Sequence, residues 1–487
     1  MNRSPRKRGG RLQALLMPVL AIVTALILGG ILIIVTDLGV IAAFTRIPRQ
    51  VAVPFTNPEA EISLEEALWR HPNEVVIGDA VALGGKSLRV VAEVDDPATQ
   101  IGLDEARALY PALGPGVTIH FNFFQKPGVG LKAAWRSVRV AYVALFEGSI
   151  GNPKEMAQAV AAWTRGDPSL LNRAFYSLSE SLVKSTPYIL TGLAVALSFR
   201  AGVFNIGAEG QYFVGGLASV FVGYSLKGLP IWVHLPLTLL AGVVGGGLWG
   251  SIPGLLKAKT GGHEVINTIM MNYIAFALSD WLLNGPMMRP GGYRPISPEI
   301  EASARLPRFF GGDIRFHAGF FVALAMAALV YWLLFKTTIG FELRTVGANP
   351  SAARYAGISL TRNIVLAMFL SGGLAGMAGA NDITGLIYYM PNAFSAGYGF
   401  DSIALALLGR SHPVGVVLAA LLFGTLRAGA TRMQSVAQIP IDIISILQAM
   451  IIIFIAAPEI IRAIYRIKQR GPEEQPLVGS AAEGVQV

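Results

Sequence analysis

Long apolar runs alternate with short polar ones along most of this chain. A helix needs about 20 mainly apolar residues to cross a bilayer, and about ten runs reach or approach that length. They lie near 12–36, 186–201, 208–225, 232–254, 265–284, 318–335, 363–380, 397–410, 413–430 and 441–460. The first follows Arg3, Arg6, Lys7, Arg8 and Arg11, and its apolar core is longer than a cleaved signal would carry, so it reads as a retained anchor. Between the first two runs lies a more polar stretch, 38–185. Within it, Leu88–Val94 and Val117–Phe124 have the β-branched and aromatic content of strands. Leu131, Trp135, Val138, Tyr142 and Leu145 recur at helical spacing, as do Leu171, Phe175, Leu178 and Leu182. The pattern predicts an all-α polytopic membrane protein with an extracytoplasmic α+β insertion after its first helix. The expected segments are a basic cytoplasmic N-terminus (1–11), the first transmembrane helix (12–36), the inserted domain (38–140), amphipathic outer-surface helices (141–185), a transmembrane core (186–460) and a cytoplasmic tail (461–487). The tail beyond Arg470 has no apolar period and is expected to be disordered.

Composition agrees with a membrane protein: 53% of the 487 residues are hydrophobic and 14% charged. The excess of 39 Lys and Arg over 30 Asp and Glu sits at the ends of the apolar runs, which argues for topology and against nucleic-acid binding. A cytosolic N-terminus places Lys257, Lys259, Lys336, Arg344, Arg354, Arg362, Arg410, Arg462, Arg466, Lys468 and Arg470 inside, as the positive-inside rule asks. The C-terminus is then cytoplasmic as well. Gly242, Gly246, Gly250 and Gly254 line one helix face, and Gly372, Gly376 and Ala380 line another; both read as close helix contacts.

No enzymatic motif stands up. Cysteine is absent, which excludes disulfides and thiolate metal sites. Ala80 to Ser87, with Gly84, Gly85 and Lys86, mimics a relaxed P-loop, but a strand follows it where phosphate binding needs a helix N-terminus, so a Gly-Gly hairpin turn is the reading. His263-Glu264 begins a zinc-protease motif that Asn267 fails to complete, and the other histidines are scattered, so no metal site, cofactor or catalytic residue is expected.

Two polar features remain. Asn349-Pro350-Ser351-Ala352-Ala353-Arg354-Tyr355-Ala356-Gly357 predicts a short helix on the cytoplasmic side, with Asn349 as cap, Pro350 at the first position and Gly357 as left-handed stop. Polar groups at membrane depth concentrate in Asn205, Glu209 and Gln211, beside Gly207 and Gly210. A broken helix end lining a cavity accounts for them, and so does a capped helix start just after Arg200. Asn272, Tyr273, Asn381, Asp382 and Asp401-Ser402 lie at similar hydropathic depth, and the set suggests a hydrated route for a polar solute.

Four stretches carry a family resemblance: Thr191 to Gln211, Gly262 to Tyr273, Gly340 to Pro350, and Gly397 to Asp401. Together the sequence resembles the permease subunit of an ATP-binding-cassette importer, in the nucleoside class related to ribose and branched-chain amino-acid permeases. The resemblance implies a non-enzymatic subunit of a bacterial cytoplasmic membrane. Its implied partners are ATPase subunits, a second homologous permease, an extracytoplasmic solute-binding lipoprotein and the lipid bilayer. It makes Asn349, Pro350, Ala352, Ala353, Arg354, Tyr355 and Gly357 the coupling helix to the ATPase. Asn205, Glu209, Gln211, Asn272, Tyr273 and Asp401 become candidates for the substrate pathway. A sugar or other small solute on the same machinery, or an ATP-independent secondary transporter, are the alternatives. The resemblance resumes near Ala141, so the insertion is a departure from the family pattern; docking of the binding protein is one role for it.

Overall fold

The computed structural model describes residues 9–37 and 40, strands at 49–54, 80–83, 86–94 and 120–121, and residues 128–466 apart from 166, 168–169, 311–313, 393, 396 and 441. The expected disordered tail beyond Arg470 and most of the basic N-terminus lie outside these residues.

Helices occupy every apolar run. They are α1 (Gly9–Thr36), α2 (Gly128–Ser149), α3 (Pro153–Trp163), α4 (Leu171–Arg200), α5 (Ala208–Ser225), α6 (Ile231–Thr260) and α7 (Glu264–Asn284). There follow α8 (Gly319–Lys336), α9 (Thr338–Ala348), α10 (Pro350–Tyr355), α11 (Leu360–Asp382), α12 (Tyr398–Leu408), α13 (Pro413–Ala437), α14 (Asp442–Ala456) and α15 (Pro458–Tyr465). Five segments, α4, α6, α8, α11 with its extension to Ile387, and α13, are long and apolar enough to cross a bilayer, and Leu20–Thr36, Tyr398–Leu408 and Asp442–Phe454 are shorter apolar helices. The molecule is a multi-pass, helical membrane protein.

Between α1 and α2 four strands form one sheet: β1 (Arg49–Pro54), β2 (Ala80–Leu83), β3 (Lys86–Val94) and β4 (His120–Phe121), in the order β2-β3-β1-β4. All pairs are antiparallel; Arg49 faces Val94, Leu83 faces Lys86 and Val51 faces Phe121. The strand β3 after Gly85 removes the helix that a P-loop requires. An α+β domain over 38–140 is not supported. Helix α2 crosses its expected end, and that helix packs into the bundle: Ala141, Ala144 and Leu145 are buried with Ile33 of α1, Ala430 of α13 and Leu447 of α14. The segment expected as outer-surface helices, 141–185, holds the end of α2, the largely exposed α3 and the start of α4. Residues 171–185 form the first half of the 30-residue α4, with Ser179, Glu180, Ser181 and Ser185 buried.

The two glycine stripes pack on each other. A Cβ on Gly246 would stand 2.4 Å from the Gly372 carbonyl oxygen, and one on Gly376 would stand 2.2 Å from that of Gly242. Gly215 of α5 joins them, its absent Cβ 2.2 Å from the Gly376 Cα. Three backbones therefore meet where only glycine fits. The main core, with Tyr188, Leu193, Tyr212, Leu343 and Phe423 fully buried, is built from α4 to α9 and α11 to α13. A second cluster joins α1 and α2 to α13, α14 and α15.

Candidate translocation site

Helix α4 ends at Arg200 and α5 begins at Ala208, so residues 201–207 are an irregular connection, with Ala201, Val203, Asn205 and Gly207 buried. Its backbone groups must find partners there. Asn205, fully buried, supplies several: its Oδ1 accepts from Gly207 N at 2.9 Å and from Gln211 Nε2 at 3.1 Å. Its Nδ2 donates to Gln211 Oε1 at 2.8 Å and to Ser371 Oγ at 2.7 Å. Ser371 of α11 in turn donates to the Ala194 carbonyl of α4 at 2.7 Å.

The start of α5 has no side-chain cap from its own N-cap residue, Gly207. Asn272 of α7 provides one instead. Its Oδ1 accepts from Gly210 N at 2.8 Å, and its Nδ2 donates to the Ile206 carbonyl at 3.0 Å. The capped helix start is thus what Asn205, Gln211 and Asn272 form, and it is a clasp between α4, α5, α7 and α11. Tyr273, next along α7, points away and is 64% exposed.

Glu209 and Asp401 belong to a different cluster, around the start of α12. Glu209 is buried, and its Oε2 accepts from Gly399 N at 2.6 Å, which places an acceptor at that helix N-terminus. Asp401 is partly open: its Oδ2 accepts from the Tyr188 hydroxyl at 2.7 Å and stands 3.3 Å from Arg427 Nη1. Arg427 also donates to the Tyr188 hydroxyl at 2.5 Å and lies 5.3 Å from the Tyr398 ring. Asp382 accepts from the Tyr212 hydroxyl at 2.5 Å. Tyr188, Tyr212, Tyr398 and Arg427 are absent from the sequence-based candidates. A signal existed for Arg427, because an arginine in the middle of an apolar run marks function by default.

The Asn349–Gly357 helix is present as α10. Asn349 Oδ1 accepts from Ala352 N at 3.0 Å, Pro350 opens the helix, and Gly357 has φ +77°. Ala353 is fully buried, whereas Tyr355 is 96% exposed. Beside α10, Phe199, Arg200, Phe341, Arg344 and Thr345 line a cavity of about 650 Å³.

Outside the spans, burial and then the Arg308 charge push the His317 imidazole down to about 4. It is neutral, as its Nδ1 requires to accept from Gly319 N at 3.1 Å. Burial of Glu264 would raise its carboxyl, but the Lys257 ammonium at 2.6 Å outweighs this and holds it below its ordinary value. Among the described residues no cluster of His, Asp and Glu has the makings of a metal site.

Comparison with known proteins bears on about three fifths of the chain. The guanosine ABC transporter permease protein NupP of Bacillus subtilis is 44% identical over 303 residues, 61% of this chain and 86% of that protein. The glucose ABC transporter permease protein TsgB13 of Haloferax volcanii is 38% identical over 303 residues, covering 60% and 79%. The nucleoside ABC transporter permease protein NupB of Lactococcus lactis is 34% identical over 298 residues, covering 59% and 81%. No solved structure matches the chain. The family described as branched-chain amino acid transport system / permease component matches residues 177–456, from near the start of α4 to the end of α14, and the chain belongs to that family.

Proposed function

We propose that this chain is the permease subunit of an ATP-binding-cassette importer for nucleosides. The observation that carries this is its 44% identity, over most of its helical part, to a permease named for guanosine, with a second relative named for nucleosides. The glucose-named relative at 38% supports a second reading, the same machinery working on a sugar.

In this reading the protein sits in a bacterial cytoplasmic membrane with both termini in the cytosol, and ATP is hydrolysed on partner subunits. A second homologous permease and an extracytoplasmic solute-binding lipoprotein complete the machine. Helix α10 is the coupling helix. It is rigidly capped, held by the buried Ala353 and followed by a left-handed Gly357, so it transmits a push on the exposed Tyr355 to α9 and α11. Glu209 and Asp401, which tie α5, α4 and α13 to the start of α12, stand along the solute route. The Asn205, Gln211 and Asn272 clasp has to shift if the route opens there. The segment between α1 and α2, residues 41–127, is an extracytoplasmic element that docks the binding protein.

Uptake of radiolabelled adenosine by vesicles carrying the full complex tests the reading. ATP-dependent uptake that unlabelled nucleosides compete away, and glucose does not, is expected. Uptake that persists without the ATPase overturns the importer, and competition by glucose alone transfers the reading to sugars.

A further inference from the structure

Above the Tyr188, Asp401 and Arg427 cluster the polar character continues. On α4, Glu180, Lys184 and Tyr188 follow one another at a spacing of four and so share a face; on α13, Arg427, Thr431 and Ser435 do the same. The two helices pack together, so the stripes run side by side. They end in a cavity of about 330 Å³ whose lining includes Glu180, Lys184, Arg315, Thr431, Arg432 and Ser435. That volume is at the lower end of small-molecule sites, which span about 300 to 1,000 Å³.

Charge in this cavity is matched with one exception. Arg315 binds Glu180 through both of its carboxylate oxygens, with Nε to Oε1 at 2.9 Å. Arg432 Nη2 stands 2.7 Å from Glu147 Oε2. Lys184, half-buried in the middle of an apolar helix, has no hydrogen bond or ion pair among the described residues. An ammonium at such a place is costly unless oxygen or nitrogen acceptors come to it. Each Glu180 oxygen keeps accepting capacity beyond its bond to Arg315. A lone ammonium beside a carboxylate and the hydroxyls of Thr431 and Ser435 is a recognition set for vicinal hydroxyls: one donates to the carboxylate while the other accepts from the lysine. Arg315 and Arg432 are already paired with Glu180 and Glu147, which leaves one net positive charge, on Lys184, and a phosphate-bearing solute would still face the Glu180 carboxylate across a small cavity.

We propose that this cavity is a binding site for a neutral, polyhydroxylated solute of about nucleoside size, the point where the solute is held before it reaches Tyr188 and Asp401, with Lys184 as its main contact. The proposal rests on the importer reading and adds to it a place and a recognising residue.

The chain's lack of cysteine makes a direct test practical. Thr431→Cys, and Ser177→Cys as a second variant at the same cavity, are placed in the full complex, and their reaction with a membrane-impermeant maleimide is followed with and without adenosine. At least a threefold slowing by adenosine is expected, with weaker slowing by 2′,3′-dideoxyadenosine. Asn205→Cys, at a fully buried position, should stay unreactive. In parallel, Lys184→Met should raise the KM for adenosine uptake about tenfold, the scale of one lost charge-assisted hydrogen bond, and Lys184→Arg should partly restore it. If adenosine is transported but protects neither cysteine, and Lys184→Met leaves KM alone, the site is refuted and the importer stands. If the wild-type complex carries no nucleoside, both readings fall.

Discussion

Asn205 uses both ends of its amide, and every bond it makes is to a buried partner. Asn205→Asp keeps the shape but removes both donors, leaving Gln211 Oε1 and Ser371 Oγ facing a carboxyl group. A buried polar group left without its partner costs about 1–3 kcal/mol. The variant should therefore melt earlier in detergent and take up less solute in proportion to its folded fraction, with the KM of that fraction unchanged. Thermal denaturation followed by tryptophan fluorescence, set beside uptake kinetics, checks this; a raised KM at wild-type stability would return Asn205 to the solute route. The sequence marked Asn205, Gln211 and Asn272 as unusual because they are polar at depth. It did not separate a clasp from a pathway, since that depends on what each amide meets from α7 and α11. Tyr188 and Tyr212 carry no such mark, because a tyrosine in an apolar run looks like core until a carboxylate appears beside its hydroxyl.

At the scale of elements, hydropathy located the helices well and their ends poorly where polar residues are buried. The run expected from 186 begins at Leu171, because Ser179, Glu180, Ser181 and Ser185 lower the local hydropathy while α2, α13 and the 314–316 segment cover them. Helix α12, at 11 residues, is only about 16 Å long and cannot cross a bilayer alone. The cap signals of α10 are local, so they were legible in full. That helix also shows which of its residues is a fair probe of coupling. Ala353→Asp would bury a carboxylate and destabilise the loop by itself. Tyr355→Asp changes a side chain already in solvent, so its cost to stability is about 0.5 kcal/mol or less. Tyr355→Asp should lower ATP-driven uptake at least tenfold with an unchanged melting temperature. Measured uptake equal to wild type would remove α10 from the coupling path.

For the whole molecule, the question is how far the bundle depends on the segment between α1 and α2, which lies outside the family match over 177–456. The two helices are joined directly. Tyr142 of α2 donates to the Leu26 carbonyl of α1, Ser137 Oγ donates to Asp37 Oδ2 at 2.6 Å, and Leu447 of α14 fills the space beside Gly29. Ser137 is nine residues into α2, about 14 Å along it, so the helix start is within reach of a short flexible linker from Asp37. Among the described residues, neither core cluster includes any residue of 41–127, the segment that about ten Gly and Ser residues would replace. The shortened chain should insert, assemble with its partner subunits and melt within a few degrees of the full one. Its uptake should nevertheless fall when the binding protein is supplied at low concentration, and recover when that protein is in excess, because docking and not the route has been weakened. Size-exclusion chromatography of the complex and uptake titrated against the binding protein give the two readouts. Failure to assemble would make the insertion part of the fold, and unchanged uptake at every concentration would remove docking as its role.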